Sequence, residues 1–298
     1  MATFAAYTII GLSVGGVFAL AALGIVLIYR TTGVLNFAHG AMGMFSTFIA
    51  WQIFYGIAQP HLPEWLATAL AILAALVFAA LLGLLLDAAV FRWVRTRPPV
   101  VKAVITIGIL LALQATASLI WKNNQYHLSI YVMPKDWVVN IADVPVGANS
   151  IAIIVVALGL AFGLAAFLRY TGFGRSMRAV SDSPAAASLW AVPVGRVSAV
   201  SWMLGSLIAA VAGILITPFI NFDTTSMTLL IIDALAAALI GGMVSLPLTV
   251  LGGFILGLLE TYPTIWIQSI GFPRLVALVV ILAVLIVRNP RGLTAVTG

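Results

Sequence analysis

Long apolar runs, separated by short polar breaks, cover most of the chain. Nine runs occupy residues 4–28, 36–58, 66–90, 103–121, 150–168, 198–218, 226–244, 248–266 and 271–288. Since a helix rises about 1.5 Å per residue, about 20 apolar residues cross a hydrocarbon core roughly 30 Å thick. Membrane-barrel strands are about ten residues of alternating polarity, so runs this long indicate helices. The pattern predicts an all-α, polytopic integral membrane protein with about eight or nine transmembrane helices.

The composition supports this class. Hydrophobic residues make up 63% and charged residues 7% of the 298 residues, against about 25% charged in an average soluble domain. The mean hydropathy is +1.19. A water-soluble fold is therefore excluded, and we expect one transmembrane domain over 1–298. The absence of cysteine excludes disulfides, thiolate metal sites and cysteine nucleophiles.

Lysine and arginine fall mostly in alternate loops, which predicts an orientation. With the N-terminus outside, eleven of the 14 basic residues lie in inner loops, namely Arg30, Arg92, Arg95, Arg97, Lys102, Arg169, Arg175, Arg178, Arg196, Arg288 and Arg291. The outer loops hold Lys122, Lys135 and Arg274, together with the acids Glu64, Asp136, Asp143 and Asp223. This positive-inside bias predicts an N-out, C-in topology, with the first run as a span rather than a removed signal peptide. Because the basic residues are spread over short loops, no nucleic-acid partner is expected.

Several motifs resemble catalytic ones. Residues 11–15 match the G-x-S-x-G nucleophile pattern but lie inside an apolar helical run. Glycines at this spacing, here and at 159–163 and 253–257, let helices approach closely, and we predict packing. The enzyme alternative is an intramembrane hydrolase, which requires Ser13 and His39 to meet at about 3 Å.

Cofactor motifs are also missing from the sequence. His61 and His127 fall in outer loops without carboxylate or cysteine partners at ligand spacing, so no metal site is predicted. No G-x-x-x-x-G-K-[ST] phosphate loop occurs. We therefore expect no cofactor on this chain and no catalytic residue, and any ATP and Mg²⁺ to be bound by another subunit.

Polar residues at 31–40 interrupt the apolar pattern between the first two spans. One interpretation is a tight inner turn with Asn36 as a helix N-cap. The other is irregular backbone that lines a water-filled path, which a membrane tolerates only against protein or water. Under the second interpretation the candidate pathway residues are Asn36, Phe37, His39, Thr106 and Gln114.

Two acids fall within predicted spans. Burying an isolated carboxylate there costs roughly 2.5 to 3.5 kcal/mol or more. Asp233 and Glu260 share one layer of consecutive helices, and Arg274 enters the next helix nearby. We predict a charge cluster of these three that pairs structurally, with direct substrate contact as the alternative. Asp87 is expected at a solvated inner helix end beside Arg92.

Residues 169–197 are the one long polar, basic stretch, and with three other stretches they resemble a known family. These are GVLNFAHGAMGMF at 33–45, GFGRSMRAVSDSPAAASLWAVPVGRV at 172–197, IGGMVSLPLTVLGGFILGLLE at 240–260 and VRNPRGL at 287–293. Together they resemble the permease subunits of branched-chain amino acid ABC importers of the LivH type.

The resemblance implies partners and a role for the polar loop. It implies a bacterial inner-membrane permease that pairs with a second, similar permease, two cytoplasmic ATPases and a periplasmic or lipid-anchored solute-binding protein. It also implies that 169–197 is a cytoplasmic coupling loop that rests on an ATPase. The matching residues are Gly174, Arg175, Arg178, Ala179, Asp182 and Ala186. The alternative is a merely solvated loop.

The chain departs from the family pattern at several positions. Ala41 stands where an acid is common, and Ala191-Val192-Pro193 replaces a common G-I-N. Val244 and Leu248 replace common glycines. The resemblance therefore implies import of branched-chain amino acids or related small polar solutes, without choosing among them. A secondary transporter or channel is the alternative function, although such proteins more often place ionisable residues at mid-membrane for coupling ions.

Overall fold

The fold is a bundle of long helices, described by a computed structural model over residues 2–59, 61–122, 124–128, 130–131, 137–141, 144–267 and 271–288. The helices are α1 Ala2–Thr32, α2 His39–Ile53, α3 Glu64–Leu86, α4 Pro99–Trp121, α5 Ala148–Tyr170, α6 Gly172–Asp182, α7 Pro184–Leu189, α8 Val194–Ile216, α9 Ser226–Ile240, α10 Leu246–Thr261 and α11 Phe272–Arg288. Of the sequence predictions, Lys135, Asp136, Asp143, Arg291 and the stretch 289–293 lie outside the described residues.

Each of the nine predicted apolar runs overlaps one of these helices. Seven helical segments are long and apolar enough to cross a membrane, and the shorter apolar segments Leu229–Ile240 and Phe272–Val287 account for the other two runs. The prediction of an all-α polytopic membrane protein is confirmed. The number of crossings and the N-out, C-in orientation stay predictions.

The two ends of α1 contact different parts of the bundle. At one end Thr8 contacts the Tyr262 hydroxyl at 2.7 Å. At the other end Arg30, in the last turn of α1, lies near Ser181. We call the end that carries Arg30 the inner end, following the predicted orientation.

Several helix ends depart from regular α-geometry. π-turns extend α2 over Phe54–Ala58 and α3 over Asp87–Phe91, followed by a short helical turn at Arg92–Val94. A 3-10 turn at Tyr262–Ile265 ends α10. Within the described residues the sheet is one antiparallel hairpin, β1 Val138–Ile141 with β2 Val144–Gly147, in the outer loop before α5.

Helix α1 lies at the centre of the bundle and packs on α10, α8, α9 and α5. Its contact with α10 depends on glycine, because a Cβ on Gly257 would meet the backbone of Gly11 and Gly15. A Cβ on Gly15 would lie 2.8 Å from the carbonyl oxygen of Gly253. The packing interpretation of 11–15 and 253–257 is confirmed. It is wrong for Gly159 and Gly163, since no described atom beyond α5 lies within 4 Å of a Cβ at either position.

An aromatic cluster closes the outer end between α2, α4 and the loop before α9. Phe48 stacks on Trp121 with 4.7 Å between ring centroids and meets Phe222 edge-on at 5.0 Å. Tyr126 pairs with Phe222 through two backbone hydrogen bonds of 2.8 and 2.9 Å. The cluster therefore ties two outer loops to the helices.

Candidate functional site

The polar segment at the inner end folds into two short capped helices. The hydroxyl of Thr171 accepts a hydrogen bond from the Gly174 N–H at 2.9 Å, which starts α6. Ser183 does the same for the Ala186 N–H at 3.2 Å and starts α7. These caps satisfy N–H groups that a helix end otherwise leaves unpaired. The loop is therefore an ordered structural unit.

Two of the predicted coupling residues attach α6 to α5. A Cβ on Gly174 would lie 2.6 Å from the Leu168 Cα, so only glycine permits this approach. Arg178 donates a hydrogen bond through Nη1 to the Leu168 carbonyl oxygen. Both residues thus support the position of the loop from within.

The remaining predicted coupling residues lie nearer the surface. Arg175, Asp182 and Ala186 are exposed, and Ala179 is half-buried. The most exposed large apolar side chains of the region are Leu189 and Trp190, which are 88% and 85% exposed.

Sequence reasoning missed Leu189 and Trp190 as functional residues. The available signal was a pair of large apolar residues in an otherwise polar loop. Ala191, next to them, has φ of +56°, a left-handed conformation that favours glycine. Ala191 is also the position at which the sequence Ala191-Val192-Pro193 replaces the glycine of the common G-I-N pattern.

The segment 33–38 forms a turn that is held from α4. The Asn36 Oδ1 accepts from the Ala38 N–H at 3.1 Å, while α2 begins at His39 with Ala38 at the N-cap position. The predicted N-cap at Asn36 is wrong, because its side chain closes a local turn two residues earlier. Thr106 accepts from the Phe37 N–H at 3.1 Å, and its hydroxyl lies 3.1 Å from the Leu35 carbonyl oxygen.

Gln114 is separate from this turn. Its Nε2 donates to the Thr224 carbonyl oxygen at 3.5 Å, in the outer loop before α9. The structure therefore brings Asn36, Phe37 and Thr106 together at the inner end and leaves Gln114 near the outer end.

His39 is buried between helices. It is 2% exposed, and neither ring nitrogen forms a hydrogen bond of normal geometry in the described part of the chain, although the Ala21 backbone lies close enough to interact with the ring. It lines a small cavity of about 10 Å³ between α1, α2, α8 and α9, enough for about one water molecule. Gly24 makes room for the ring, since a Cβ there would lie 2.7 Å from Nε2.

The Ser13 and His39 dyad is absent. The Ser13 hydroxyl also has no hydrogen-bond partner among the described residues, so the two groups do not meet. The geometric requirement of the hydrolase alternative is not met. Among the described residues no group of three His, Cys, Asp or Glu could hold a metal ion.

The predicted charge cluster of Asp233, Glu260 and Arg274 is not held together by direct ion pairs within the described residues. Arg274 lies close enough to Asp233, and Asp233 close enough to Glu260, for each pair to interact electrostatically. Within the described ranges none of them forms an ion pair within 4 Å. Glu260 is 6% exposed, and its Oε1 has no hydrogen-bond partner among the described residues.

Asp87 corrects a sequence prediction. It is 3% exposed, pairs with Arg95 at 3.1 Å and accepts a hydrogen bond from the Ser198 hydroxyl. Gly83, four residues earlier and hence on the same helix face, lets α3 touch α8, where its Cβ would lie 2.5 Å from the Trp202 carbonyl oxygen. This close contact directs Asp87 toward α8 rather than toward solvent and Arg92.

A comparison with known proteins decides the family. The family model for the branched-chain amino acid transport system permease component matches residues 7–288. The chain belongs to this family. The permease is therefore a multi-pass membrane protein, and the LivH-type resemblance is confirmed.

Named relatives extend along nearly the whole permease. A high-affinity branched-chain amino acid transport system permease protein, LivH of Escherichia coli (strain K12), is 28% identical over 95% of this chain and 92% of its own. BraD of Pseudomonas aeruginosa, with the same description, is 28% identical over 85% of this chain and 83% of its own. A probable LivH of Methanocaldococcus jannaschii is 26% identical over 93% of this chain and 88% of its own. No solved structure matches.

Proposed function

We propose that this permease imports branched-chain amino acids or related small polar solutes across a bacterial cytoplasmic membrane. It is coupled to two cytoplasmic ATPases, which bind ATP and Mg²⁺, pairs with a second permease and receives solute from an extracytoplasmic binding protein. Three relatives carry branched-chain amino acid transport in their names. The membership of the family supports the same solute class here.

The observation that carries the coupling proposal is the exposed apolar tip of the inner segment. Leu189 and Trp190 extend from α7 into the surroundings, while caps and the Arg178 bond hold α6 and α7 in place. Exposed aromatic anchors on a supported element are typical of protein contact sites. We propose that an ATPase covers this tip and moves it on closure.

Movement of the tip would reach the helices through α8. Arg95 donates a hydrogen bond to the Gly195 carbonyl oxygen at 3.4 Å, and Ser198 bonds to Asp87. The first turns of α8 are thus tied to α3, directly after the tip. A shift of the segment would displace α8 and α3 together and bias inward-open against outward-open states.

The solute path is proposed to pass near His39. Its ring nitrogens form no hydrogen bond of normal geometry among the described residues, and the surrounding wall includes the small residues Gly40, Gly43 and Gly213. Small contact residues let these helices approach one another closely. We propose that separation of α1, α2, α8 and α9 widens this small cavity for the solute.

The test is ATPase stimulation by loaded binding protein in proteoliposomes that hold the complete transporter. Trp190→Glu and Leu189→Glu are expected to abolish stimulation or release the ATPases, while the neighbouring Ser188→Ala is expected to leave it intact. Full stimulation in both tip variants would contradict the coupling surface. Solute uptake without any ATPase subunit would instead favour a secondary transporter.

A further inference from the structure

A wide cavity at the inner end lies between α1, α5, α6 and α10. Its volume is about 560 Å³, and its polar wall consists of Arg30, Arg169, Arg178, Thr31, Ser181 and Ser245. Among the described residues that line it there is no carboxylate. Leu189 and Trp190, which carry the proposed coupling contact, do not line this cavity.

The three arginines have more N–H donors than their described hydrogen bonds use. Arg30 donates through Nε to the Ser181 hydroxyl at 3.4 Å, and Arg178 donates through Nη1 to the Leu168 carbonyl oxygen. Arg169 lies over the Tyr170 ring at 5.6 Å. Across the described residues none of the three forms an ion pair within 4 Å. Since a guanidinium has five N–H donors, the cavity presents positive charge and donors without a matching anion.

The position of these arginines corresponds to the lipid headgroups. Arg30 lies in the last turn of α1 and Arg169 in the last turn of α5, two helices long and apolar enough to span the membrane. Basic pockets between membrane helices on the cytoplasmic side are suited to anionic lipid headgroups. A soluble anion could bind the same arginines, but it would make no use of the apolar groove next to the cavity.

An apolar groove continues from the cavity toward the middle of the membrane. It has a volume of about 280 Å³ and shares Ala165, Leu246 and Pro247 with the cavity. Its remaining wall, between α1, α5 and α10, is made of apolar side chains such as Leu158, Phe162 and Phe254. A headgroup cavity that opens into an apolar groove matches a phosphodiester attached to an acyl chain.

We propose that this cavity and groove bind one anionic phospholipid, with its phosphate among the three arginines and an acyl chain along the groove. Lipid tails are as apolar as leucine, so the groove contributes little affinity relative to the bilayer. The headgroup charge therefore sets the selectivity. Because Met177, Arg178 and Ser181 of α6 line the cavity, the bound lipid also supports the inner segment.

Native mass spectrometry of the assembled transporter, with phosphatidylglycerol and phosphatidylethanolamine supplied equally, tests the proposal. We expect retention of phosphatidylglycerol. A basic residue near the membrane surface is worth about 1 kcal/mol, so each arginine removed is expected to weaken retention about fivefold. Arg30→Gln with Arg169→Gln is the test variant, since Arg178 bonds α6 to the backbone of α5, whereas Arg30 makes only a 3.4 Å contact with the Ser181 hydroxyl. Arg97→Gln, an exposed arginine at the same end, is the matched control.

Further variants and a competition experiment distinguish a bound phospholipid from a soluble anion. Arg30→Lys should keep most of the retention, and Ala161→Phe, which fills the groove, should reduce it without changing any charge. Retention equal in the double variant and in Arg97→Gln would overturn the site. Displacement by soluble glycerol phosphate as effective as that by phospholipid would overturn the lipid and indicate a soluble anion. Absence of phosphatidylglycerol from the wild-type complex would also overturn the lipid site. That result would indicate that the partner permease covers the groove.

Discussion

Asp87 accepts a hydrogen bond from the hydroxyl of Ser198, which joins the inner end of α3 to the first turns of α8. Arg95 completes the contact with a 3.1 Å ion pair to the same carboxylate and a bond to the Gly195 carbonyl oxygen. The contact lies at the C-terminal end of the inner polar segment. It is a buried polar link between that segment and the spanning helices.

Replacing Asp87 with asparagine should lower the apparent midpoint of thermal unfolding in detergent. The change keeps one acceptor oxygen but replaces the other with an NH2 group, so Ser198 or Arg95 loses its acceptor beside a side chain that is 3% exposed, which costs about 1–3 kcal/mol. The ion pair itself contributes less, since the Arg95 side chain is 33% exposed. Asp182→Asn, an exposed carboxylate on α6, is the control. Equal midpoints for the two variants would contradict a structural role for the contact.

Gly257→Ala should destabilise the permease by about 1–3 kcal/mol, because the added methyl group forces α1 away from α10. Its Cβ would meet the backbone of Gly11 and Gly15. Gly163→Ala is the matched control on α5, where no described neighbour lies within 4 Å of the new methyl group. Thermal unfolding in detergent measures both. A larger loss at Gly163 would show that the packing argument is wrong.

Ala191→Gly should stabilise the protein by about 0.5–1 kcal/mol. Relief of the left-handed strain at φ of +56° outweighs the greater chain entropy that glycine brings to the unfolded state. Ala185→Gly in α7 provides the opposite case, with an expected loss of about 0.5–1 kcal/mol. Thermal unfolding of both variants measures this, with the midpoint of Ala191→Gly expected above the wild type and that of Ala185→Gly below it. A lower midpoint for Ala191→Gly would argue against strain.

Arg274→Ala should lower the unfolding midpoint, because the buried Asp233 then loses the cation that interacts with it. Adding Asp233→Asn should recover much of the loss, with a coupling of about 0.5–3 kcal/mol. A double-mutant cycle of unfolding midpoints measures it. Additive effects would mean that the two residues act independently.

His39→Leu should keep or raise the unfolding midpoint while it lowers solute uptake. Neither ring nitrogen forms a hydrogen bond of normal geometry among the described residues, so removing them avoids a desolvation cost of about 1–3 kcal/mol. Thr106→Val is the contrasting variant, since its hydroxyl holds the backbone at Leu35 and Phe37, and its midpoint should fall. Full uptake with His39→Leu would place the solute path elsewhere.

The class and helix order follow from the apolar runs alone. A bilayer requires about 20 apolar residues per crossing and satisfaction of every backbone polar group, so each run predicted a helix without knowledge of its neighbours. The loop at 169–197 and the glycine packing at 11–15 were also predictable, the first from its polarity and the second from its spacing. The family resemblance added the transport function, which composition leaves open.

The tertiary contacts determine how individual polar residues are used. Asp87 has the same sequence context whether it faces water or α8, and only the close approach at Gly83 makes it a buried link. Gly163 and Gly257 have similar patterns, yet one has no described neighbour and the other touches α1. Which face of a membrane helix meets protein depends on the neighbouring helices, because lipid and protein interior are equally apolar and hydrophobicity does not distinguish them.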